Sequence, residues 1–383
     1  MNLTTLRASS VLAFVLVVAE QGCRVQEGYP RGGGAADSLA VPPGFAIAPY
    51  ARRVGGARSL AVAPDGSVYV SIPRLGQVVR LWTASDGATA DSSQIAVKGL
   101  SQPTGIAFHG GWLYIANTNS IVRTRLGPDG LAIGTLDTVA KIEGGGEHWT
   151  RSILFGRDGA LYLSMGSTCN VCVETNPQRA AVMRFDADGK NGRVFSRGLR
   201  NAVGMALEPH TGAIWVSLNE RDNIEPDHQN LPPDEINILQ EGGDYGWPYC
   251  YALHGKRVPN PEFHDPDRCA DKIPAAFEIQ AHSAPLGMTF LDRAVMLPQE
   301  YRTDLLVAYH GSWNRDIPTG DKVVRILVKN GHPLGVEDFV TGWQRPDGSR
   351  WGRPSDIVVA GDGSVLIADD RGDAIWRVTY RAR

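Results

Sequence analysis

Residues 150–164 read TRSILFGRDGALYLS, two short alternating apolar runs on either side of Gly156, Arg157, Asp158 and Gly159. Successive side chains of an extended chain point to opposite faces, so each run reads as a strand with one apolar face. The residues between them accept positive φ or hydrogen-bond their own backbone, which turns the two strands into a hairpin. The pattern recurs as ARSLAVAPDGSVYVS from Ala57, PTGIAFHGGWLYIAN from Pro103, AVGMALEPHTGAIWVS from Ala202, PLGMTFLDRAVMLPQEYRTDLLVAYHG from Pro285 and RPSDIVVAGDGSVLIAD from Arg353, six copies in all. Most copies are followed by a third apolar run, such as GQVVRLW, SIVRTRL, AAVMRF, KVVRIL or AIWRVTY.

Units of three or four strands at a period of about 45 to 50 residues are the signature of propeller blades. The expected fold is all-β, a six-bladed β-propeller over residues 42–383. The strand GFAIAPYARRV from Gly44 is expected to join the last blade and close the ring, because closure removes exposed sheet edges. Residues 223–281, rich in proline and containing Cys250 and Cys269, read as a long excursion over one face.

Ahead of the repeats, Arg7 precedes an apolar run at residues 11–19, then small or polar residues and Cys23. About nine apolar residues suit an export signal (residues 1–22), against the roughly 20 needed for a bilayer-spanning helix. Cys23 stands where a bacterial lipoprotein would be lipidated, and residues 23–41 read as a flexible linker, so the expected location is periplasmic or membrane-anchored. In an exported chain, Cys169 with Cys172 and Cys250 with Cys269 are expected to form disulfides. CNVCVE lacks the histidine that follows CxxC in haem attachment. A hydrophobic fraction of 43% supports a packed core, while a net charge of −3 gives no reason to expect nucleic acid or an anionic membrane as partner.

Propellers gather loops from every blade at the mouth of one central channel, so equivalent repeat positions meet in space. His148 lies two residues before the third copy, Arg200 and Asn201 just before the fourth, and Arg353 heads the sixth. The ends of the second strands, residues 219–222, 310–315 and 369–371, form a second set for the same mouth. Taken singly, each is more simply a loop or ion-pair residue; together they suit a pocket with forked cationic donors for carboxylates and a neutral imidazole able to take a hydroxyl proton. Carbonyls and a carboxylate can hold a hard cation. No glycine-rich βαβ unit speaks for a nicotinamide or flavin fold.

The segments GEHWTRSILFGRDGALYLSMGSTCNVC, SRGLRNAVGMALEPHTGAIWVSLNERD, LPPDEINILQEGGDYGWPYCY, AHSAPLGMTF, HGSWNRDIPTGDKVVRI and GRPSDIVVAGDGSVLIADD resemble the glucose/sorbosone dehydrogenase family, in its sorbosone dehydrogenase-like branch, over about residues 41–380. The resemblance implies a pyrroloquinoline quinone enzyme with calcium (Ca2+) that oxidises a sugar, aldose or sugar aldehyde and passes electrons to an external acceptor. It makes His148 the general base, Arg200 and Asn201 the pair at the cofactor's carbonyl oxygens, and Arg353 a partner of its carboxylates. The calcium loop corresponds to NERD, with main-chain carbonyls near Arg221 and Asp222 as ligands. A family lysine in the fifth blade has no match here; His310 or Arg315 could substitute, with Arg315 preferred for its charge. A non-catalytic extracellular binding module and a calcium-dependent propeller lactonase are the competing readings.

Overall fold

The structure, a computed structural model, describes residues 39–84 and 87–381. The expected export signal, Cys23 and most of the linker lie outside the described residues. Leu39 and Ala40, at the end of that linker, already belong to the fold: Leu39 is buried in a core cluster and Ala40 pairs with Thr341. Among the described residues, no helix is long and apolar enough to cross a membrane.

The hairpins fall into six sheets, antiparallel save for Gly243–Asp244 beside Arg193–Arg197 in the third, a six-bladed β-propeller. The inner strands are Ser59–Val62, Ile106–His109, Arg151–Phe155, Ala202–Leu207, Pro285–Phe290 and Pro354–Val359. Each packs against the next, and the last packs against the first. The second strands, Val68–Ile72, Trp112–Ala116, Leu161–Met165, Ile214–Leu218, Leu305–Tyr309 and Val365–Asp369, are buried almost throughout. A blade in a ring is covered on both faces by its neighbours, so these second strands lose the half-solvated alternation of an open sheet.

Phe45–Arg52 runs antiparallel to Ala374–Tyr380 as the fourth strand of the last blade, with Phe45 opposite Tyr380 and Arg52 opposite Ala374. The ring thus closes as expected. The excursion at residues 223–281 is more than a surface loop. It contributes Asp234–Ile238 and Phe277–Ile279 as the third and fourth strands of the fourth blade, and a separate hairpin, Cys250–Leu253 with Lys256–Pro259. The third strand escapes an apolar reading because it buries Asp234, Glu235 and Asn237. Arg257 from the hairpin donates to both oxygens of Glu235, at 2.5 and 2.9 Å, which satisfies this charge in the interior. Both expected disulfides, Cys169 with Cys172 and Cys250 with Cys269, are formed.

Antiparallel pairing places the start of each inner strand beside the end of the second strand. Arg151 faces Met165, Ala202 faces Leu218, Pro285 faces Tyr309 and Pro354 faces Asp369. The residues just outside these pairs therefore emerge together at one end of the propeller.

Candidate active site

A channel cavity of about 340 Å³ runs between the inner strands and is lined by all six, with Ser59, Thr104, Ser152, Gly204, Gly287 and Ser355 among its walls. The candidate residues gather in two groups on the loops at its mouth.

The first group comes from the third and fourth blades. His148 Nδ1 lies 3.0 Å from the carbonyl oxygen of Ser167 and 2.9 Å from its hydroxyl. The carbonyl can only accept, and the Ser167 hydroxyl donates its proton to Cys169 O at 2.7 Å. Nδ1 must therefore carry the imidazole proton, which leaves the Nε2 lone pair as the basic site. Burial, with the adjacent Arg200 charge adding to it, pulls the His148 pKa down to about 3, so the ring is neutral at pH 7. Gly166 makes the approach possible: a Cβ there would meet His148 Cβ at 2.5 Å and Asn201 Oδ1 at 2.8 Å. His148 and Asn201 thus converge on one glycine, as repeat register predicts.

Arg200 is buried, and its guanidinium is held by protein oxygens. Nε donates to Asn170 O at 3.0 Å, Nη1 to Glu220 O at 2.7 Å, and Nη2 to Asn170 Oδ1 at 2.9 Å, with Asp222 Oδ2 at 3.7 Å. Burial lowers its pKa. Asp222 is tied into the same network: its carboxylate accepts from Asn314 Nδ2 at 2.8 Å and lies 3.5 Å from His282 Nδ1. Its carbonyl, one of the expected calcium ligands, accepts from Asn170 Nδ2 at 3.2 Å and Arg221 Nε at 3.1 Å. The buried Arg221 side chain leads away to Glu262 and to Asn260 Oδ1, which leaves only the main chain of this residue as a candidate ligand. Beneath the loop, Asp234 accepts from the amides of Glu220 and Ala284, both at 2.9 Å, and burial pushes its pKa up to about 7.

The second group spans the fifth, sixth and first blades. Arg353 donates from Nε to His310 O at 2.7 Å and from Nη2 to Gly311 O at 2.6 Å; among the described residues, no hydrogen bond uses its Nη1. Burial lowers its pKa to about 10, still cationic at neutral pH. His310 Nε2 sits 3.0 and 3.1 Å from the two oxygens of Asp370, which also accepts from Arg58 Nη1 at 3.2 Å. Burial holds His310 down at about 4, hence neutral. Burial opposes the charge of Asp370, but His310, Arg58 and Arg353 outweigh it and keep that carboxyl ionised. Beside them the buried Asp321 has no hydrogen-bond partner on either oxygen among the described residues, with Arg350 Nε at 3.3 Å and Arg353 Nε at 3.8 Å. Burial raises its pKa to about 6.

Arg315 is anchored elsewhere: it donates to the carbonyls of Gln229, Ala281 and Ile317, clamping the fifth-blade loop onto the long excursion. Asp369 is structural, a buried acceptor for Trp343, Trp376 and the amides of Arg353 and Gly372. Sequence reasoning omits Arg58, Ser167, Asn170 and Arg350. Arg58 stands at the head of the first copy much as Arg353 heads the sixth, and Ser167 follows the second strand of the blade that His148 precedes, so register carries a signal for both. Asn170 and Arg350 lie in loops of irregular length and carry none.

Of the known proteins similar to this chain, an uncharacterised protein of Borreliella burgdorferi is 35% identical over 228 residues, covering 58% of each chain. A pyrroloquinoline quinone-dependent sugar dehydrogenase of Hypocrea jecorina is 26% identical over 302 residues, covering 66% of each. The chain thus spans less than two thirds of the length of these relatives. Among solved structures, the holo form of the pyranose dehydrogenase PQQ domain from Coprinopsis cinerea superposes with a TM-score of 0.78 at 22% identity, over 89% of this chain and 97% of that one, which establishes the shared fold. The model of the TrAA12-like family matches residues 39–345, most of the propeller, and the chain belongs to that family.

Proposed function

We propose that the protein is an exported quinoprotein dehydrogenase that oxidises a sugar or sugar aldehyde at the channel mouth. The carrying observation is His148: a half-buried, neutral imidazole whose Nδ1 proton is committed to Ser167, so that Nε2 is the proton acceptor. The names of the relatives supply the cofactor class, pyrroloquinoline quinone.

The residues present fit such a group. A quinone with several carboxylates needs cations and a water-poor wall, and Arg353, Arg350 and Arg58 stand together around the unbonded carboxylate of Asp321 and the ionised Asp370. Arg353 would hold a cofactor carboxylate, Arg200 and Asn201 would face its carbonyl oxygens, and the Arg221 carbonyl would offer an oxygen ligand to calcium, whereas the Asp222 carbonyl, which already accepts from Asn170 and Arg221, would serve only if those donors gave way. Bound there, the quinone with its calcium supplies the hydride acceptor that protein side chains lack.

The chain's own residues do the rest. His148 Nε2 accepts the proton of the substrate hydroxyl as the carbon loses hydride, and Ser167 holds the ring so that the positive charge formed remains on it. Burial, with the Arg200 charge adding to it, keeps the ring deprotonated before the substrate arrives, and that charge favours negative charge developing opposite it. The test is reconstitution of the apoprotein with the quinone and calcium, followed by absorbance, then a screen of sugars with an artificial electron acceptor. Binding at micromolar quinone with reduction by a sugar is expected; absence of binding would overturn the proposal, and binding without reduction by any sugar would point to a sensory module instead.

A further inference from the structure

The CNVCVE motif takes no part in the chemistry above, yet its loop bonds Arg200, Asp222 and Ser167, the partner of His148. The Cys169–Cys172 disulfide closes a four-residue ring that contains Asn170 and Val171. We propose that Asn170, held by this ring, is a positioning residue for the reaction: it sets the Arg200 guanidinium and the backbone of residues 219–222 in register with His148. The inference rests on the dehydrogenase reading above.

One primary amide joins two distant segments. Asn170 Oδ1 accepts from Arg200 Nη2 and from the Asp222 amide, both at 2.9 Å, and Nδ2 donates to Asp222 O at 3.2 Å. The Asn170 carbonyl takes a second Arg200 contact, Nε at 3.0 Å. The side chain thus pairs with both the donor and the acceptor of the Asp222 backbone while orienting a cation. A carboxylate in its place keeps the acceptor and loses the donor; an alkyl group loses both.

The ring is fixed on its other side to the base. Cys169 O accepts from the Ser167 hydroxyl, which itself receives His148 Nδ1. Glu174 accepts from the Thr168 amide at 2.5 Å and from its hydroxyl at 3.0 Å, bracing the chain where it enters the ring. Each residue of the motif other than the two valines therefore has a part: two sulfurs restrict the loop, Asn170 reads the neighbouring blade, and Glu174 braces the entry. A cross-link between residues so close in sequence leaves the two enclosed residues few alternatives. Its effect is local: where Asn170 stands, rather than whether the propeller folds.

The experiment compares Asn170→Ala, Asn170→Asp and the paired Cys169→Ser/Cys172→Ser variant with the wild type, and uses Cys250→Ser/Cys269→Ser as the control disulfide. Hydrogen exchange of the apoprotein is read first, then quinone and calcium affinity by titration, then kcat against KM. For Asn170→Ala, faster exchange at residues 219–223 is expected, with the second-strand amides unchanged, a weakening of quinone and calcium binding of about tenfold or more, and a lower kcat at unchanged sugar KM. Asn170→Asp, which keeps the acceptor role, is expected to fall between Ala and wild type, and the paired serine variant to shift in the same direction. Exchange, affinity and kcat unchanged in Asn170→Ala would overturn the proposal. If that variant fails to fold, unchanged exchange and affinity in Asn170→Asp would do the same. A wild type that binds no quinone overturns the dehydrogenase reading instead, while the exchange data still decide whether Asn170 positions the loop.

Discussion

Two half-buried histidines stand at the same end of this propeller and present opposite ring nitrogens to the protein. His148 and His310 are both neutral because burial penalises their charge, and both lie beside an arginine. At His148 the protein contacts take Nδ1, through a carbonyl and a hydroxyl whose own proton is committed elsewhere, so Nε2 keeps an open lone pair. At His310 the contact takes Nε2, through the Asp370 carboxylate that Arg58 also holds. A perturbed pKa marks both equally. What separates the two is which nitrogen the protein uses and with what: Nδ1 on a carbonyl and a hydroxyl at His148, Nε2 on an ionised carboxylate at His310.

The largest expected effect comes from removing each in turn. His148→Ala should lower kcat by about a thousandfold, within the range of a lost general base, while quinone affinity stays within a few-fold of wild type. His310→Ala should leave the base in place and act through Asp370 and Arg58, weakening quinone binding and stability more than kcat at saturating cofactor. Steady-state kinetics with direct quinone titration check this; similar losses of kcat in both variants at saturating cofactor would erase the distinction.

A smaller effect is expected of Ser167→Ala. The main-chain carbonyl still holds Nδ1, so the tautomer survives, but the ring loses one of its two acceptors and the Cys169 carbonyl loses its donor. A fall in kcat of about tenfold with unchanged quinone affinity would reflect the looser ring, and no change in kcat would mean the carbonyl alone suffices.

The smallest effect is on acid stability. The folded-state pKa of His148 is about 3 against an ordinary value near 6.5, so as pH falls through that window the unfolded chain takes up a proton that the folded chain refuses. Acid therefore favours unfolding through His148. His148→Gln, which never titrates, should reduce proton uptake on unfolding at pH 5 by close to one proton relative to wild type, measured from the pH dependence of apoprotein stability. Buried carboxyls such as Asp234 and Asp321, whose raised pKa values act in the opposite sense, are common to both proteins and cancel. An unchanged uptake would mean that His148 titrates normally in the folded chain.

Blade number and closure were legible because each hairpin carries its own turn residues and apolar alternation, and because Phe45–Arg52 is apolar enough to need a partner. The outer half of the fourth blade was not, since Asp234, Glu235 and Asn237 read as a polar loop until Arg257 is seen to meet Glu235 from a hairpin elsewhere in the chain. In the site, repeat register found the heads of the blades: His148, Arg200, Asn201 and Arg353. It could not assign partners. Arg315, expected at the cofactor for its charge, is a clamp on Gln229 and Ala281, whereas Asn170, at a position no repeat register marks, bonds Arg200 and Asp222. Those pairings depend on loop lengths that no period encodes.

The seam of the ring has a consequence for how the protein comes into being. Phe45–Arg52 is synthesised before any of the six hairpins but finds its place only beside Ala374–Tyr380, the final strand. The pairs Arg58 with Asp370 and the Leu60 amide with Asp356 Oδ2 cross the same seam, and the first of them belongs to the cationic group at the channel mouth. A nascent chain that has completed five blades lacks that group, so the pocket cannot assemble on a partial product. Assembly of the channel mouth and completion of the circle are one event, and a polypeptide truncated after the fifth blade would carry His148 and Arg58 without Arg350, Arg353 and Asp370.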